Sequence, residues 1–228
     1  MWLVLAHAGD SAARSLTARW GPSTLLLTPA TLHRRSWSLE IAGSGAARAT
    51  VEPADVEGVV TRLAAVTAAE LPHVAAEDRA YVAAEFTAFL AAWLDACPCP
   101  VVNRPVAGSL NGPPWSAAQW AAAAAHEGLA VPAERHGVVS AVHDGAELSD
   151  AAPAVEVTVV GNRCIGPASP AVSARLCALA RAVSTPLLSA LLEGGEPDAR
   201  VRALSAWPDV GDPEVADALA ALLRGSPC

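Results

Sequence analysis

The stretch Pro100–Pro132, PVVNRPVAGSLNGPPWSAAQWAAAAAHEGLAVP, marks the point in this 228-residue chain where one α/β unit ends and a shorter one begins. Val101 and Val102 predict a short central strand, and the Gly- and Pro-rich residues after them predict a loop. The Ala-rich run Ser116–Glu127 predicts a helix capped near Ser116 and ended by Gly128. Strand, loop and helix in this order are typical of an α/β unit.

The residues before this stretch predict a parallel sheet with helices. Ser11–Trp20 has apolar residues at helical spacing, with Asp10 or Ser11 as the capping residue. We interpret Asp55–Leu63 as a short helix or turn, and Glu77–Ala96 as a long helix with one apolar stripe. Parallel strands are expected at Trp2–Ala8, Ser23–Leu27 and Ala64–Val66.

Residues 34–52 change to an alternating period, which predicts a β-hairpin that turns at Gly43–Gly45. Because strands flank this glycine-rich turn and no helix follows, it is not a phosphate loop. Trp37 on this hairpin, like Trp207 near the end of the chain, is a candidate exposed anchor for a partner.

The residues after Pro132 predict a smaller unit of mixed strands and helices. We therefore divide the chain into two domains, residues 1–132 and 133–228. The expected strands of the second are Gly137–Val142, Val155–Val160, Arg163–Gly166, Leu187–Leu192 and Val201–Leu204, and its expected helices are Ser169–Val183 and Asp212–Arg224.

Composition excludes several classes of function. The net charge of −8 and the absence of a basic cluster argue against nucleic acid as a partner. No apolar run reaches the roughly 18 residues of a membrane span, and the first residues lack the features of a signal peptide. All fifteen basic residues are arginines, so lysine chemistry such as a Schiff base is impossible.

The five cysteines lack the spacing of a disulfide framework or a zinc site, so we expect reduced thiols in a cytoplasmic protein. Cys97 and Cys99 are too close in sequence for an unstrained bridge. Cys97 or Cys164 paired with His136 or His143 would make a nucleophile, although buried cysteines mostly behave as small hydrophobic residues. The two histidines have no third ligand nearby, and the role of the terminal Cys228 stays open.

Polar residues follow two of the predicted strands. His7 and Asp10 come after the first strand, and Asn103 and Arg104 end another. Because α/β sheets bind ligands at the carboxyl ends of their strands, these four residues together with Trp115 are candidates to line a cleft. The alternative is that His7 is a capping or half-buried residue and that Arg104 pairs with a surface acid.

In the order of its elements the chain resembles ATP-grasp enzymes, of the kind similar to ribosomal-protein glutamate ligases and to the ligases of ribosomally synthesised peptides (RiPPs). The resemblance implies an α/β fold: an N-terminal pre-ATP-grasp-like parallel sheet with helices on both faces, then a reduced α+β remnant of the ATP-grasp domain. The matching segments are Arg79–Pro105, Ser116–Pro132 with its EGLAVP ending, VEVTVVGNR at Val155–Arg163, the helix around Ala174–Val183, Leu204–Pro208 and Ala216–Leu223.

The chain departs from that family where the family binds nucleotide and metal. Only residues 133–153 fill the place of a much longer central ATP-binding region, and the loop Asn111–Trp115 lacks the family's lysine. Glu156 stands where an arginine faces the transferred phosphate. Ser205–Pro208 replaces a motif that ligates magnesium, and Leu191 replaces an upstream acid.

Magnesium needs hard oxygen ligands, and phosphoryl transfer needs cationic donors. The resemblance therefore implies no nucleotide cofactor, no metal and no ligation by this chain alone. We expect a truncated, non-ligating accessory or binding protein whose partner is a precursor peptide or a full-length ligase. The alternatives are an ATP-independent enzyme that has repurposed the cleft, and a ligase completed by another chain. The Ala-rich helix also suits a homodimer.

Overall fold

The computed structural model describes residues 1–42, 47–52, 55–132, 154–194 and 199–225. The helices are α1 (Ser11–Trp20), α2 (Pro29–Leu32), α3 (Arg79–Asp95), α4 (Ala117–His126), α5 (Pro170–Ala182) and α6 (Pro213–Gly225). The strands are β1 (Trp2–Ala6), β2 (Thr24–Leu27), β3 (Trp37–Ile41), β4 (Ala47–Val51), β5 (Gly58–Arg62), β6 (Val101–Val102), β7 (Ala154–Val160), β8 (Arg163–Ile165), β9 (Leu187–Glu193) and β10 (Arg200–Ser205). Short 3-10 turns lie at Gly21–Ser23 and Ala68–Glu70.

The first sheet is parallel, with strand order β2-β1-β5-β6. Its third strand along the chain is Gly58–Arg62, so the expected strand at Ala64–Val66 is wrong. All five residues of β5 are buried, and a strand buried on both faces has no alternating pattern to reveal it. A Cβ at Gly58 would lie 2.9 Å from Cδ2 of Leu223, so this glycine lets α6 pack closely against the strand.

Helices cover both faces of this sheet, because successive residues of β1 point to opposite sides. Leu3 and Leu5 lie in a buried cluster with Trp93 of α3 and residues of the hairpin. Val4 lies in another cluster with residues of α1 and α6. The expected α/β architecture of the N-terminal part is confirmed.

The second sheet is antiparallel, with strand order β10-β9-β7-β8. Its buried residues form a third cluster with residues of α4 and α5. The expected pairing of the segments around Leu187–Leu192 and Val201–Leu204 is observed. The expected strand Gly137–Val142 lies outside the described residues.

Packing crosses the division at residue 132 in both directions. Helix α4 precedes this position, yet its Trp120 and Ala124 lie in the buried cluster of the second sheet. Helix α6 follows it, yet Val215 and Leu219 lie in the cluster of the first sheet. The two sheets therefore share their covering helices, and the division into two domains stays a sequence-based prediction.

Local signals explain where the helices begin. Asp10 Oδ1 accepts a hydrogen bond from the backbone N–H of Ala13 at 2.9 Å, which caps α1. Ser116 and Gln119 form a capping box at the start of α4. After α4, Gly128 has φ of 74°, a conformation that glycine adopts without strain.

The hairpin β3–β4 is observed, and its turn at 43–46 lies outside the described residues. Trp37 is not the exposed anchor that its position suggested. Its ring packs against Trp93 with centroids 5.0 Å apart, and its Nε1 donates to the carbonyl of Leu32 at 2.9 Å. A tryptophan on the inner face of a hairpin packs into the core that the hairpin covers, and period-two alternation alone does not say which face is inner.

No helix within the described part of the chain is long and apolar enough to cross a membrane.

Candidate functional site

A histidine–carboxylate pair lies at the carboxyl end of β1. His7 Nδ1 is 2.8 Å from Glu70 Oε1, which is the distance of a hydrogen bond between the ring and the carboxylate. The other carboxylate oxygen of Glu70 accepts from the hydroxyl of Thr67 at 2.9 Å. Glu70 is thus fixed by its own turn, and it orients the imidazole, which keeps about a third of its surface exposed (35%).

A buried ion pair lies beside it. Arg62, the last residue of β5, donates from Nε to Asp10 Oδ2 at 2.6 Å, and the two side chains are 9% and 10% exposed. Asp10 therefore caps α1 with one oxygen and binds Arg62 with the other. Buried charges persist only when paired in this way.

The segment Ser205–Pro208 lies over this edge of the parallel sheet. Arg62 Nη1 donates to the carbonyl of Pro208 at 2.8 Å. The Trp207 ring lies 5.6 Å from the Arg62 guanidinium and stacks near His7, with ring centroids 6.4 Å apart. Trp207 is 39% exposed, so its side chain covers this edge of the sheet only in part.

Two buried asparagines link the first sheet to the second, and one of them holds the segment Ser205–Pro208. Asn103, after β6, donates to the carbonyl of Leu187 and accepts from its N–H, both at 2.9 Å. Asn111 donates to the carbonyl of Ala206 at 3.1 Å. Asn103 is fully buried, so the structure places this candidate cleft residue at the contact between the two sheets.

The remaining two candidates make other contacts. Arg104 donates to the carbonyls of Leu94 and Asp95, at 3.2 and 3.3 Å, where α3 ends. A cation at the carboxyl end of a helix satisfies carbonyls that have no partner within the helix. Trp115 packs edge-on against Trp120, with centroids 4.9 Å apart. Of the five predicted residues, the structure thus brings His7 and Asp10 together.

Sequence reasoning missed Arg62 and Glu70. Arg62 ends β5, a strand in a segment whose residues predict a helix or turn, and only the strand assignment places Arg62 at the same edge as His7. Glu70 forms a capping box with Thr67, a T-x-x-E pattern that the sequence shows. The pattern predicts the turn, and it does not predict the contact with His7.

The register of the second sheet shows which residues surround Leu191 and Ser205, the positions at which the resemblance implies magnesium ligands. Leu191 lies opposite Ala203, and Ser189 lies opposite Ser205. On the other side of β9, Leu191 faces Glu156, which is exposed. Among the described residues, no three His, Cys, Asp or Glu side chains form a group that could hold a metal ion.

An apolar groove of about 920 Å³ runs along α3. Its helical wall presents the exposed residues Ala84, Ala88 and Ala92, which recur every fourth position and so share one face. Its other wall is the loop 105–110, in which Val106 and Ser109 form an isolated bridge. The groove is therefore lined mainly by small side chains.

The proposed cysteine–histidine nucleophiles cannot be traced within the described residues, since His136 and His143 lie outside them. Burial raises the pKa of Cys164 above its usual value. Burial likewise raises the pKa of Cys177. Both thiols are therefore protonated and weakly nucleophilic at neutral pH.

Solved structures similar to this chain are ATP-grasp ligases. A RiPP-associated ATP-grasp ligase from Chryseobacterium gregarium, in complex with ADP and a leader and core peptide, aligns with a TM-score of 0.67 and 12% identity over 99% of this chain and 97% of that one. The macrocyclase MdnC from Microcystis aeruginosa MRC, bound with its precursor peptide, aligns with a TM-score of 0.64 and 10% identity over 99% of both chains. The ATP-grasp ligase PsnB, complexed with a minimal precursor, aligns with a TM-score of 0.63 and 16% identity over 97% of this chain and 98% of that one.

These similarities cover nearly the whole chain and show that it has an ATP-grasp-like fold. The resemblance inferred from the order of the sequence elements is confirmed at the level of the fold. No protein-family model and no curated protein matches the sequence.

Proposed function

We propose that this protein is a non-ligating, ATP-grasp-like accessory protein that binds a peptide in a peptide-modification pathway. The link to peptides is supported by the structural relatives, which include ligases solved with leader, core or precursor peptides. The absence of ligation is argued from this chain's own residues.

The main support for the proposal is that the segment Ser205–Pro208 makes structural contacts between the two sheets. In the ligases that the sequence resembles, this position supplies magnesium ligands. Here its carbonyls accept from Asn111 and Arg62, and its Trp207 ring lies over Arg62. The segment joins the two sheets, and its side chains offer no carboxylate to a metal.

Electrostatics near the second sheet also oppose nucleotide transfer. Glu156 lies across from Leu191 on the strand next to the position of the missing acid. A carboxylate beside a triphosphate raises the energy of the charge that develops during phosphoryl transfer. The family route would instead need a cation there.

The groove along α3 is the surface we assign to the peptide. Apolar peptide side chains would lie against Ala84, Ala88 and Ala92, which leave room because they are small. The loop 105–110, which contains the small residues Ala107 and Gly108, forms the opposite wall. Asp95 lies at one end of the groove and favours a peptide with a basic residue at that point.

Calorimetry tests the proposal directly. Titration with ATP and Mg²⁺ should give no heat of binding, whereas a RiPP precursor peptide should bind, with a full-length ATP-grasp ligase as the positive control for nucleotide. Micromolar affinity for ATP in the presence of Mg²⁺ would contradict the non-ligating assignment. A full-length ligase added as titrant tests the other partner, and sedimentation of the protein alone tests the homodimer.

A second candidate function is ATP-independent catalysis at His7. It is favoured by the contact between His7 Nδ1 and Glu70, which orients an imidazole that remains partly exposed. The Trp207 ring beside His7 restricts the space for a substrate. Mass spectrometry of precursor peptides incubated without ATP would detect a product, which the variant His7→Gln should abolish.

A further inference from the structure

Two thiols meet at the end of α3, close to Arg104. The Sγ atoms of Cys97 and Cys99 are 3.1 Å apart, and the residues are only 4% and 2% exposed. The chain bends at Pro98, whose ring fixes one backbone dihedral and so helps hold the two side chains on one side. Both cysteines are reduced in this structure.

Arg104 is a cation close to this pair of thiols. Its Nη2 donates to the carbonyl of Cys99 at 3.4 Å, while Nη1 is held by the carbonyls that end α3. The hydrogen bond from Cys99, with a smaller contribution from the Arg104 guanidinium, lowers the pKa of Cys97 to about 7 despite its burial. A thiol with this pKa is partly ionised at neutral pH, and the thiolate is the form that attacks disulfides.

A cavity of about 540 Å³ gives access to Cys97. Cys97 and Pro98 line it together with β4 and the indole of Trp93. The charged residues of its lining are Arg48 of β4 and, after this strand, Glu52 and Asp55. The cavity is large enough for a small polar disulfide, because a pocket of this size accommodates a drug-sized molecule.

We propose that Cys97 and Cys99 are a redox-active dithiol that exchanges with a low-molecular-weight disulfide. The Cys97 thiolate attacks one sulfur of the disulfide, forms a mixed disulfide and releases one thiolate. Cys99 loses its proton and attacks Cys97 Sγ, which forms the Cys97–Cys99 bond and releases the second thiolate. The two electrons of the dithiol thus reduce one external disulfide to two thiols, and the activity is independent of the peptide-binding function proposed above.

A bridge between cysteines two residues apart closes a small, strained ring, and strained disulfides are the labile ones. The bridge should therefore form and reopen in the folded protein under mild redox conditions. We do not expect Cys164 and Cys177 to take part in this exchange, because burial raises the pKa of each thiol.

The test uses the whole chain with Cys228 replaced by serine, oxidised glutathione as the probe, and mass spectrometry after alkylation in denaturant. We expect the loss of two hydrogens and protection of Cys97 and Cys99 from alkylation, both reversed by dithiothreitol. In the variant Cys99→Ser the reaction should stop at one glutathione on Cys97. In Cys97→Ser no exchange should occur, and Cys177→Ser, a matched change of a buried cysteine, should behave like the parent.

Two results would overturn the proposal. One is that Cys97 and Cys99 both remain open to alkylation after prolonged incubation of the folded protein with the probe. The other is that Cys97→Ser exchanges as fast as the parent, which would assign the reaction to another thiol. Circular dichroism of each variant confirms that the compared proteins are folded.

Discussion

Arg62 shows how one side chain joins the two sheets. It ends a strand of the first sheet, pairs with Asp10 at the start of α1, and reaches the carbonyl of Pro208 beyond β10. All of these contacts are at least partly buried, so the guanidinium has exchanged water for fixed oxygen atoms. The chain has an arginine here, whose planar fork binds two acceptors at once.

Loss of this arginine should destabilise the protein strongly. Arg62→Met leaves the Asp10 carboxylate buried without its partner, which costs about 3–5 kcal/mol in the free energy of unfolding. The double variant Asp10→Asn with Arg62→Met should recover much of that loss, because asparagine still caps α1 and carries no charge. Urea denaturation followed by circular dichroism measures both.

Arg19 is the matched control for Arg62. It also pairs with an aspartate, Asp217 of α6, to which it donates two hydrogen bonds, but both side chains are exposed. Arg19→Met should therefore change stability far less than Arg62→Met. Equal losses for the two variants would contradict the role assigned to burial.

Cys97 allows a second prediction at this scale. Since its folded-state pKa is lowered to about 7, the rate of its alkylation by iodoacetamide should rise with pH through a midpoint near 7. Cys99→Ala removes the largest cause of the shift and should move the midpoint upward. Arg104 acts in the same direction as Cys99, while Arg48, Glu52 and Asp55 line the adjoining cavity and make the midpoint sensitive to salt.

The sign of the linked stability follows from the direction of the shift. A group with a lowered folded-state pKa stabilises the folded protein at pH values above its unfolded pKa, here 9.0. That contribution disappears as the pH falls through about 7. A midpoint for Cys97 no lower than those of Cys164 and Cys177 would contradict this account.

At the scale of elements, α3 serves two surfaces at once. Leu90, Trp93 and Leu94 are buried against the first sheet, while the alanines of the opposite side line the groove. The sequence predicts the buried stripe and the helix to within two residues at each end. It does not predict the groove, since the loop 105–110 that forms the other wall is recognisable only in three dimensions.

The groove gives a prediction for this element. Ala88→Arg places a long, charged side chain in the groove and should weaken peptide binding at least tenfold, because the apolar contacts are lost and a charge is introduced. Calorimetry with the precursor peptide that binds the parent measures the change. Ala125→Arg is the matched control, since Ala125 is also an exposed helical alanine but lies outside the groove.

The strands differ in how far the sequence predicts them, for a physical reason. The hairpin β3–β4 has one buried face, so alternation reveals it. Strand β5 is buried on both faces and contains Gly58 and Arg62, residues that are uncommon in strands that sequence patterns identify. Because the sequence does not predict β5, it does not place Arg62 in the candidate site. His7 and Asp10 follow β1, a strand that the sequence predicts.

At the scale of the whole molecule, the helices α4 and α6 each cover the sheet that lies on the other side of residue 132. Neither half of the chain can therefore bury its apolar residues by itself. The Asn103 bonds to Leu187 and the Arg62 bond to Pro208 add buried polar links between the halves. The arrangement favours one cooperative unit.

The expected consequence is a single unfolding transition. Circular dichroism and tryptophan fluorescence should give the same urea midpoint for the whole chain. Leu219→Ala in α6 should lower both midpoints together, with a loss of about 2–5 kcal/mol. The fragment 1–132 should show no cooperative transition, and a fragment that unfolded like the parent would contradict the shared packing.

The position of α6 also bears on how the molecule is made. The face of β1 that carries Val4 is completed by α6, so the ribosome must add more than two hundred further residues after β1 before that face is covered. Contacts between residues so far apart in sequence form late and slowly. During synthesis this aliphatic face of β1 is therefore exposed until α6 has emerged from the ribosome, and an exposed apolar face favours aggregation or chaperone binding in that interval.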